Sequence, residues 1–440
     1  MKQGIVHLRS PRPVGRSRPA GFVALALAAS ASMVVGATPL QASGATATVQ
    51  DFGARGGSMW FPGGQPDSAF RLLGLIASSQ VDGVSPRQFN LRRLQQAVRR
   101  APGSPETDRL LTEALVKYAT AVRAVPTTNE WTIVDRAAVQ SPSVVANMVR
   151  QSAAAGTLAT FIETMPWMHE TYAGLRRELL IAEQRRDRTA AATLRLNLNR
   201  ARLLPAATPQ RYVMVNIPAQ RLYMYENGKV VDWMRVVVGK PAQPTPMMAA
   251  LIRYTAVNPY WNLPSDLVAE RIAPNVVKYG LQYLREKGYV VLSDWSDNAR
   301  RVDPSTIDWK AVAAGRTEIR MRQNPGPANA MGRMKFMFPN KAGVYLHDTP
   351  NKELLDESAR LLSAGCVRLE DAPRLAKWLY GRPLTVTKGM KPEQHVDLAR
   401  PVPVYLAYLT AVSSGNQAVF YDDIYGRDRA RLASLRGVAR

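Results

Sequence analysis

The number of cysteines is the feature that most constrains how this chain can fold. Cys366 is the only cysteine among 440 residues, so no disulfide can form within the chain and its fold must rest on a hydrophobic core. One cysteine also excludes cysteine-rich zinc sites, and no His-Glu-x-x-His segment occurs. We therefore expect neither a metal site nor a cofactor.

The residues around Cys366 favour a reactive thiol. Residues 363–369 read SAGCVRL, and His347 lies nineteen residues before the cysteine. The thiolate is the reactive form of cysteine, and a nearby imidazole commonly generates it. Gly365 lets the backbone approach a substrate closely, and N–H groups of such a turn can donate to an oxyanion. The pattern predicts a cysteine acyl-transfer site; the alternative is that Cys366 is a small buried core residue.

Three other histidines compete with His347 for the role of catalytic base. His7 lies in a basic N-terminal leader, whereas His169 and His395 remain alternatives elsewhere in the chain. His347 alone ends an apolar run near the cysteine, within residues 344–350, which read VYLHDTP. We therefore predict that His347 is the base that activates the thiol.

The two segments together resemble the signature of a known enzyme family. Residues 345–350 (YLHDTP) followed by residues 363–369 resemble the signature of the L,D-transpeptidases with a YkuD-type catalytic domain, and the chain is similar to their large YcbB-like branch. Further motifs similar to that branch are VNIP, NPYWNLP, QNPGP, KFMFPN and DDIYG, at residues 215–218, 258–264, 323–327, 335–340 and 422–426. Ala364 stands where many relatives carry a second histidine.

The resemblance implies roles for several residues near the thiol. Backbone N–H groups near Gly365 and Cys366, helped by the Tyr345 hydroxyl, would form the oxyanion hole. Arg368 would hold a carboxylate of the substrate by paired hydrogen bonds, or would brace the loop that carries the cysteine.

Two further residues have a functional and a structural interpretation. Ser363 would orient His347 by a hydrogen bond, or would only close the turn. Trp261 would line the donor cleft, or would pack in a core as aromatic residues usually do.

The resemblance also implies peptidoglycan as the substrate. The thiol would attack the carbonyl after the third residue of a tetrapeptide stem, D-Ala would leave, and the amine of a second stem would resolve the thioester as a 3→3 cross-link. Donor and acceptor stem peptides would be the partners, and a carbapenem would acylate the same thiol. Resolution by water (an L,D-carboxypeptidase), resolution by a lysine of an envelope protein, and a non-catalytic wall-binding role remain alternatives.

The first 44 residues have the layout of a signal peptide. Five basic residues and no acidic residue accompany an apolar stretch at residues 20–37, and small residues follow at 40–47. We expect export to the periplasm with cleavage between residues 37 and 48. An uncleaved inner-membrane anchor is the alternative, because a basic flank would also orient a membrane helix.

The charge of the chain predicts anionic partners. The formal net charge is +24, and removal of the five basic residues of the leader leaves +19. Such a balance attracts polyanions. An exported chain without a nucleic-acid-binding motif meets anionic lipid, lipopolysaccharide and cell-wall polymer, so we expect association with anionic envelope polymers and no nucleic acid.

The patterns along the chain predict an α+β fold class. The resemblance implies that the mainly helical residues 45–204 form a scaffold domain and that the mainly antiparallel β-structure of residues 205–430 is a β-sandwich catalytic domain. The segment at about residues 263–322 is too long and too patterned for a simple loop, and the resemblance implies that it is a capping insertion; a C-terminal tail is expected at residues 431–440.

Local signals predict individual elements. Ser104 followed by Pro105 predicts the start of a helix, and Asn227-Gly228 between two β-rich runs predicts a hairpin. Residues 45–105 are expected to be rich in loops. The other expected elements are helices over 143–155, 158–163, 168–202 and 373–380, and strands over 211–217, 319–322, 334–338, 344–346, 384–387 and 404–412.

Overall fold

The computed structural model describes residues 57–124, 130–139, 144–206, 211–296, 298–387, 389–415 and 417–438. The expected signal peptide lies outside these residues. In the part of the chain that the structure describes, no helix is both long enough and apolar enough to span a membrane.

The N-terminal part of the described chain is a layer of α-helices. They are α1 (Asp67–Ala77), α2 (Leu91–Arg100), α3 (Pro105–Arg123), α4 (Val144–Ala154), α5 (Leu158–Thr164), α6 (Glu170–Gln184) and α7 (Arg188–Ala201). The predicted start of α3 is confirmed, because Pro105 is its first residue and the Ser104 hydroxyl accepts a hydrogen bond from the Thr107 N–H.

The helical layer differs from our expectations in two places. The stretch expected to be rich in loops, residues 45–105, contains α1 and α2. Helix α1 forms because its apolar residues, such as Leu72 and Ile76, are buried against the layer. Residues 168–202 do not form one helix. Arg186 has a φ of 57° and breaks the run, and the Asp187 carboxylate accepts a hydrogen bond from the Ala190 N–H to begin α7.

The rest of the described chain is mainly β-structure. Its strands are β1 (Trp131–Ile133), β2 (Tyr212–Asn216), β3 (Arg221–Glu226), β4 (Lys229–Gly239), β5 (Met247–Val257), β6 (Trp261–Leu263), β7 (Tyr289–Leu292), β8 (Arg301–Val302), β9 (Arg320–Gln323), β10 (Met334–Met337), β11 (Leu346–His347), β12 (Leu361–Ser363), β13 (Val367–Leu369), β14 (Gln394–Ala407), β15 (Ala411–Ser414) and β16 (Gln417–Phe420).

The largest sheet closes around an apolar core. Its strand order is β1-β5-β10-β11-β13-β4-β3-β2-β14, with β12 beside β4, and β14 also pairs with β5. Most pairings are antiparallel, as expected, but β1–β5, β11–β13, β12–β4 and β14–β2 are parallel. Residues from strands all around this ring, such as Val215, Val236, Phe336 and Leu406, form one buried cluster.

The hairpin signal is confirmed and two strand predictions are wrong. Asn227 and Gly228 both have positive φ, 52° and 71°, as a two-residue turn of type I′ requires between β3 and β4. Residues 384–387 form no strand. The strand expected at residue 404 already begins at Gln394, because β14 continues across an irregularity and pairs with β5 on both sides of it.

A smaller unit lies between β6 and β9, where the capping insertion is expected. Strands β6, β9, β7 and β8 form its sheet, which starts at Trp261 and ends at Gln323. Its helical elements are α8 (Ser265–Leu267), a π-helical turn (Val268–Ile272), α9 (Ala273–Tyr279), α10 (Gln282–Lys287) and α11 (Trp309–Ala313). The capping insertion has its own apolar core, which includes Leu263, Ile272 and Met321.

Two more helices follow the strands of the large sheet. They are α12 (Ala372–Tyr380), as predicted, and α13 (Arg427–Val438), which occupies residues where we expected a tail.

The helical layer packs on the large sheet. Buried residues of α3, α6 and α7 share one apolar cluster with Tyr212, Ala249 and Tyr405 of the large sheet. Scaffold and sheet therefore have a common core.

Candidate active site

His347 lies on a short strand in the middle of the large sheet. On β11 it pairs with Lys335 of β10 on one side and with Arg368 of β13 on the other. Their neighbours Phe336, Leu346 and Val367 belong to the apolar core of the sheet. Because side chains alternate along a strand, Lys335, His347 and Arg368 share the opposite face.

The surroundings of His347 fix which ring nitrogen can act as a base. His347 is 2% exposed, and its Nδ1 lies 2.5 Å from the carbonyl oxygen of Asp348. A carbonyl can only accept, so Nδ1 carries the proton and Nε2 keeps its lone pair. Burial, together with the positive charge of Arg368, lowers the pKa of His347 to about 3. The imidazole is therefore neutral at physiological pH and ready to accept a proton.

Cys366 lies one residue before β13, on the same side of the sheet as His347. Leu346 pairs with Val367, so Cys366 is opposite Tyr345 and two residues from Arg368 along one face. Its Sγ lies 3.7 Å from the carbonyl oxygen of Gly343. Burial raises the pKa of the Cys366 thiol, while a backbone hydrogen bond from Tyr345 and the charge of Arg368 act in the opposite direction. The resting pair is thus a thiol and a neutral imidazole.

The loop that carries Cys366 is held by two hydroxyl groups. Ser363 Oγ lies 2.5 Å from the Cys366 carbonyl oxygen and accepts a hydrogen bond from the Gly365 N–H at 3.1 Å. Thr245 Oγ1 donates to the Gly365 carbonyl oxygen at 2.8 Å and accepts from the Gly239 N–H at 2.9 Å. Gly365 has a φ of 107°, which favours glycine. The structure therefore places Ser363 as a residue that closes the turn.

The hydrogen bonds of the loop distinguish between the expected oxyanion donors. The Gly365 N–H is occupied by Ser363. By contrast, the Cys366 N–H and the Tyr345 hydroxyl have no hydrogen-bond partner among the residues that the structure describes. Burial is the largest cause that raises the pKa of Tyr345 to about 12, so its hydroxyl stays protonated. Cys366 N–H and Tyr345 O–H are the donors that remain free for an oxyanion.

Asp348 fixes the strand end at which His347 lies. Its carboxylate accepts hydrogen bonds from Lys352 Nζ at 2.7 Å and from the Arg333 N–H at 2.9 Å. A Cβ placed on Gly332, whose φ is 60°, would lie 2.4 Å from Asp348 Oδ2. The absence of a side chain at Gly332 lets the carboxylate fit, so Asp348 positions the carbonyl that orients the imidazole.

The other expected site residues are not all at this face. Arg368 is half-buried, and burial and the charge of Arg271 lower its pKa. Trp261 packs against the core of the capping insertion. His169 is buried against Tyr212 and Tyr225, and His395 lies against Tyr254. Neither of these two histidines is placed beside Cys366.

Sequence reasoning missed two residues that shape the loop. Thr245 follows β4 and connects Gly239 with Gly365, as described above. The Tyr425 hydroxyl donates to the Gly239 carbonyl oxygen at 2.7 Å and accepts from the Thr245 N–H at 3.4 Å. Tyr425 lies in the DDIYG motif, whose similarity to the YcbB-like branch indicates no role for this tyrosine. No local pattern singles out Thr245.

Comparisons with known proteins match two parts of this chain to family models. Residues 210–404 match the YkuD model, described as the L,D-transpeptidase catalytic domain, and residues 53–179 match a model described as a scaffold domain. A protein of Haemophilus influenzae named "Putative L,D-transpeptidase" is 35% identical over 243 residues. That match covers 54% of this chain and 48% of the relative, so the similarity spans about half of the relative's length.

Solved L,D-transpeptidases are more distant. The enzyme from Mycobacterium smegmatis is 16% identical, the match covers 45% of this chain and 58% of that chain, and the TM-score is 0.22. The catalytic domain of the E. faecium L,D-transpeptidase is 17% identical, the match covers 45% of this chain and 98% of that chain, and the TM-score is 0.20.

Proposed function

We propose, from the match of residues 210–404 to the YkuD-type L,D-transpeptidase catalytic domain, that the protein is a cysteine-dependent peptidoglycan L,D-transpeptidase. The observation that carries the proposal is the sheet register, which puts Cys366 on the same face as a neutral His347 with a free Nε2. Acyl transfer by a thiol requires a base that accepts its proton, and the shared sheet face supports this role for His347.

In the first half-reaction Cys366 Sγ attacks the carbonyl carbon between the third stem residue and the terminal D-Ala. The thiol proton passes to Nε2 of His347, and the oxyanion receives hydrogen bonds from the Cys366 N–H and the Tyr345 hydroxyl. Collapse of the intermediate breaks the C–N bond, and His347 returns the proton to the leaving nitrogen. The product is a thioester on Cys366 and free D-Ala.

In the second half-reaction the side-chain amine of another stem attacks the thioester. His347 accepts a proton from this amine and returns it to the sulfur as the C–S bond breaks. With meso-diaminopimelate as the third residue of both stems, the new amide is a 3→3 cross-link. The neutral state of His347 supports both steps, because the imidazole must accept a proton in each.

Export is part of the proposal, because peptidoglycan stems lie outside the cytoplasm. The basic and apolar leader within residues 1–44 supports delivery to the periplasm by a cleaved signal peptide. The formal net charge of +24 supports additional attraction to anionic polymers of the envelope.

The test combines intact-mass spectrometry with product analysis on purified disaccharide tetrapeptides. We expect an acyl adduct on the wild-type protein that is absent from Cys366→Ser, followed by accumulation of 3→3 dimers. A tripeptide product without dimers would indicate the L,D-carboxypeptidase, and dimers formed by Cys366→Ser would exclude the cysteine mechanism. If neither adduct nor product forms with folded protein, a non-catalytic wall-binding role replaces the proposal.

A carbapenem tests nucleophile and pocket without an acceptor. Its strained lactam carbonyl offers the same electrophile as the stem amide, so Cys366 should form a stable covalent adduct. His347→Ala should acylate far more slowly, while His395→Ala, in which the altered histidine lies against Tyr254, serves as the matched control. Equal rates for the two alanine variants would show that His347 is not the base.

A further inference from the structure

Two arginines near the candidate nucleophile form no ion pair with a carboxylate among the residues that the structure describes. Arg368 extends from the same sheet face as Cys366 and is half-buried, and Arg271 belongs to the π-helical turn of the capping insertion. Among the residues that the structure describes, neither guanidinium group forms a hydrogen bond or an ion pair. A partly buried cation without a counter-ion is costly, and two adjacent ones are more so.

The fold holds the turn that carries Arg271 next to the cysteine loop. Glu270, the preceding residue, forms an ion pair with Lys240 Nζ at 2.8 Å. The Lys240 N–H in turn donates to the Ser363 carbonyl oxygen at 2.9 Å, three residues before Cys366. Lys240 is the largest cause that lowers the pKa of the Glu270 carboxyl group and Arg271 contributes less, so the Arg271 guanidinium can still bind a second anion.

The backbone of this turn is itself unusual. Residues Val268–Ile272 form a π-helical turn between α8 and α9 within an otherwise α-helical run. Such turns insert one residue into a helix and are frequently found at functional sites. The ion pair of Glu270 with Lys240 places this turn beside the cysteine loop, and the positive charge of Arg271 contributes to the lowered pKa of Arg368. Arg271 therefore lies where the capping insertion meets the catalytic face.

We propose that Arg271 and Arg368 together bind the free terminal carboxylate of the donor peptide, so that the capping insertion supplies a specificity-determining residue. Guanidinium groups form paired hydrogen bonds with a planar carboxylate, and they bind a neutral carboxamide in its place more weakly. The inference rests on the proposed function, since it names the part of that donor which the two arginines recognise.

The distance along the strand favours this carboxylate over a more remote one. Arg368 follows Cys366 by two residues on one face, which corresponds to roughly 6.6–6.8 Å. The terminal carboxylate lies one residue beyond the attacked carbonyl, and one residue spans about 3.8 Å. A guanidinium at the end of the long arginine side chain can therefore meet the terminal carboxylate while Sγ meets the carbonyl carbon. The requirement restricts cleavage to the last peptide bond of the stem.

The experiment compares two donor tetrapeptides, one with a free terminal carboxylate and one with a terminal carboxamide. Acylation rates are measured by intact mass for wild type, Arg271→Gln, Arg368→Gln and the double variant. Arg285→Gln is the matched control, because Arg285 is an exposed arginine of the same insertion. We expect wild type to prefer the carboxylate, and Arg271→Gln to lose about ten- to a hundredfold on the carboxylate alone.

Each outcome supports or overturns the inference. The inference is supported if Arg271→Gln acylates more slowly with the carboxylate donor and at an unchanged rate with the carboxamide donor. It is also supported if the double variant acylates no more slowly than the slower of the two single variants. Equal loss on both donors overturns it in favour of a structural role for Arg271, and loss of the preference in Arg285→Gln overturns it in favour of general charge attraction. Wild type that acylates both donors equally rejects only the carboxylate site, whereas wild type that acylates neither rejects the proposed function itself.

Discussion

At the scale of single residues, the tautomer of His347 determines the chemistry of the site. The carbonyl oxygen of Asp348 at 2.5 Å from Nδ1 leaves Nε2 as the base, and Asp348 is held by Lys352 and by the Arg333 N–H. The base is defined by a backbone carbonyl, not by a carboxylate, in contrast to a triad with an aspartate.

The low pKa of His347 predicts an unusual dependence of acylation on pH. Because burial lowers this pKa to about 3, the imidazole stays neutral well below its ordinary value of 6.5. Because burial raises the pKa of the Cys366 thiol, thiolate formation moves to higher pH. We expect an acylation rate that is nearly constant between about pH 5 and 8, measured with a carbapenem by stopped-flow absorbance. A decline with a midpoint near 6.5 would contradict the assignment of a buried, neutral base.

Thr245 provides a second prediction at the residue scale. Thr245→Val keeps the shape but removes both hydrogen bonds of the hydroxyl, leaving the Gly239 N–H and the Gly365 carbonyl unpaired. We expect a loss of about 1–3 kcal/mol in the free energy of unfolding and an acylation rate reduced on the order of tenfold to a hundredfold.

The control for Thr245 is the conservative hydroxyl variant. Thr245→Ser retains the donor and acceptor and should restore most of the rate, measured with the same donor and checked by urea unfolding. If Thr245→Val acylates like wild type, the Gly239–Thr245–Gly365 connection does not position Cys366.

At the scale of elements, the close contact of α6 with β15 is the most sharply testable. A Cβ placed on Gly174 of α6 would lie 1.9 Å from Ser413 Oγ and 2.2 Å from Ser413 Cβ. Alanine is the better helix former, yet the clash requires helix and hairpin to separate. We expect Gly174→Ala to lower the free energy of unfolding by about 1–3 kcal/mol, measured by urea denaturation.

The matched control is a second helical glycine with free space around it. Gly74 lies in α1, and a Cβ there would have no neighbour within 4 Å. Gly74→Ala should raise the free energy of unfolding by up to about 1 kcal/mol. If the two variants shift stability in the same direction, helix propensity and not the contact with Ser413 governs both sites.

Elements also differ in how far local signals determine them. Helix α3 and the β3–β4 turn were predicted because Ser104, Pro105 and Asn227-Gly228 act on their own backbone. Strand β5 was not predicted, because nearly all of its residues are buried and no alternation of polar and apolar residues marks it. The break between α6 and α7 had a local signal in Asp187, which was outweighed by helix-forming residues on both sides.

At the scale of the whole molecule, the scaffold and the catalytic sheet are joined by more than surface contact. Strand β1, from the helical region, pairs with β5 of the sheet. The Arg200 side chain, 1% exposed, binds Glu130 at 3.0 Å and Asp428 at 2.5 Å, and so connects α7 with the C-terminal helix. Removing one partner of such a buried ion pair strongly destabilises the folded state.

These connections predict cooperative unfolding. Because the apolar cluster runs from the helices into β2, β5 and β14, calorimetry of the protein without its leader should show one transition for scaffold and sheet together. Arg200→Met should lower its midpoint by several degrees, since about 3–5 kcal/mol is lost when one partner of a buried pair is removed. Two resolved transitions, with only one affected by Arg200→Met, would show that the two parts unfold independently.

The sequence by itself determined the fold class and the identity of the candidate nucleophile and base. A unique cysteine in SAGCVRL and a single histidine at a strand end are local facts, and so are the turn and capping signals. Only the tertiary structure decided how these groups act. The parallel pairing of β11 with β13 puts His347 and Cys366 on one face, Ser363 occupies the Gly365 N–H, and the capping turn brings Arg271 towards Arg368. Residues far apart in sequence acquire their pKa values, hydrogen bonds and charge partners only from burial and register, which no local pattern encodes.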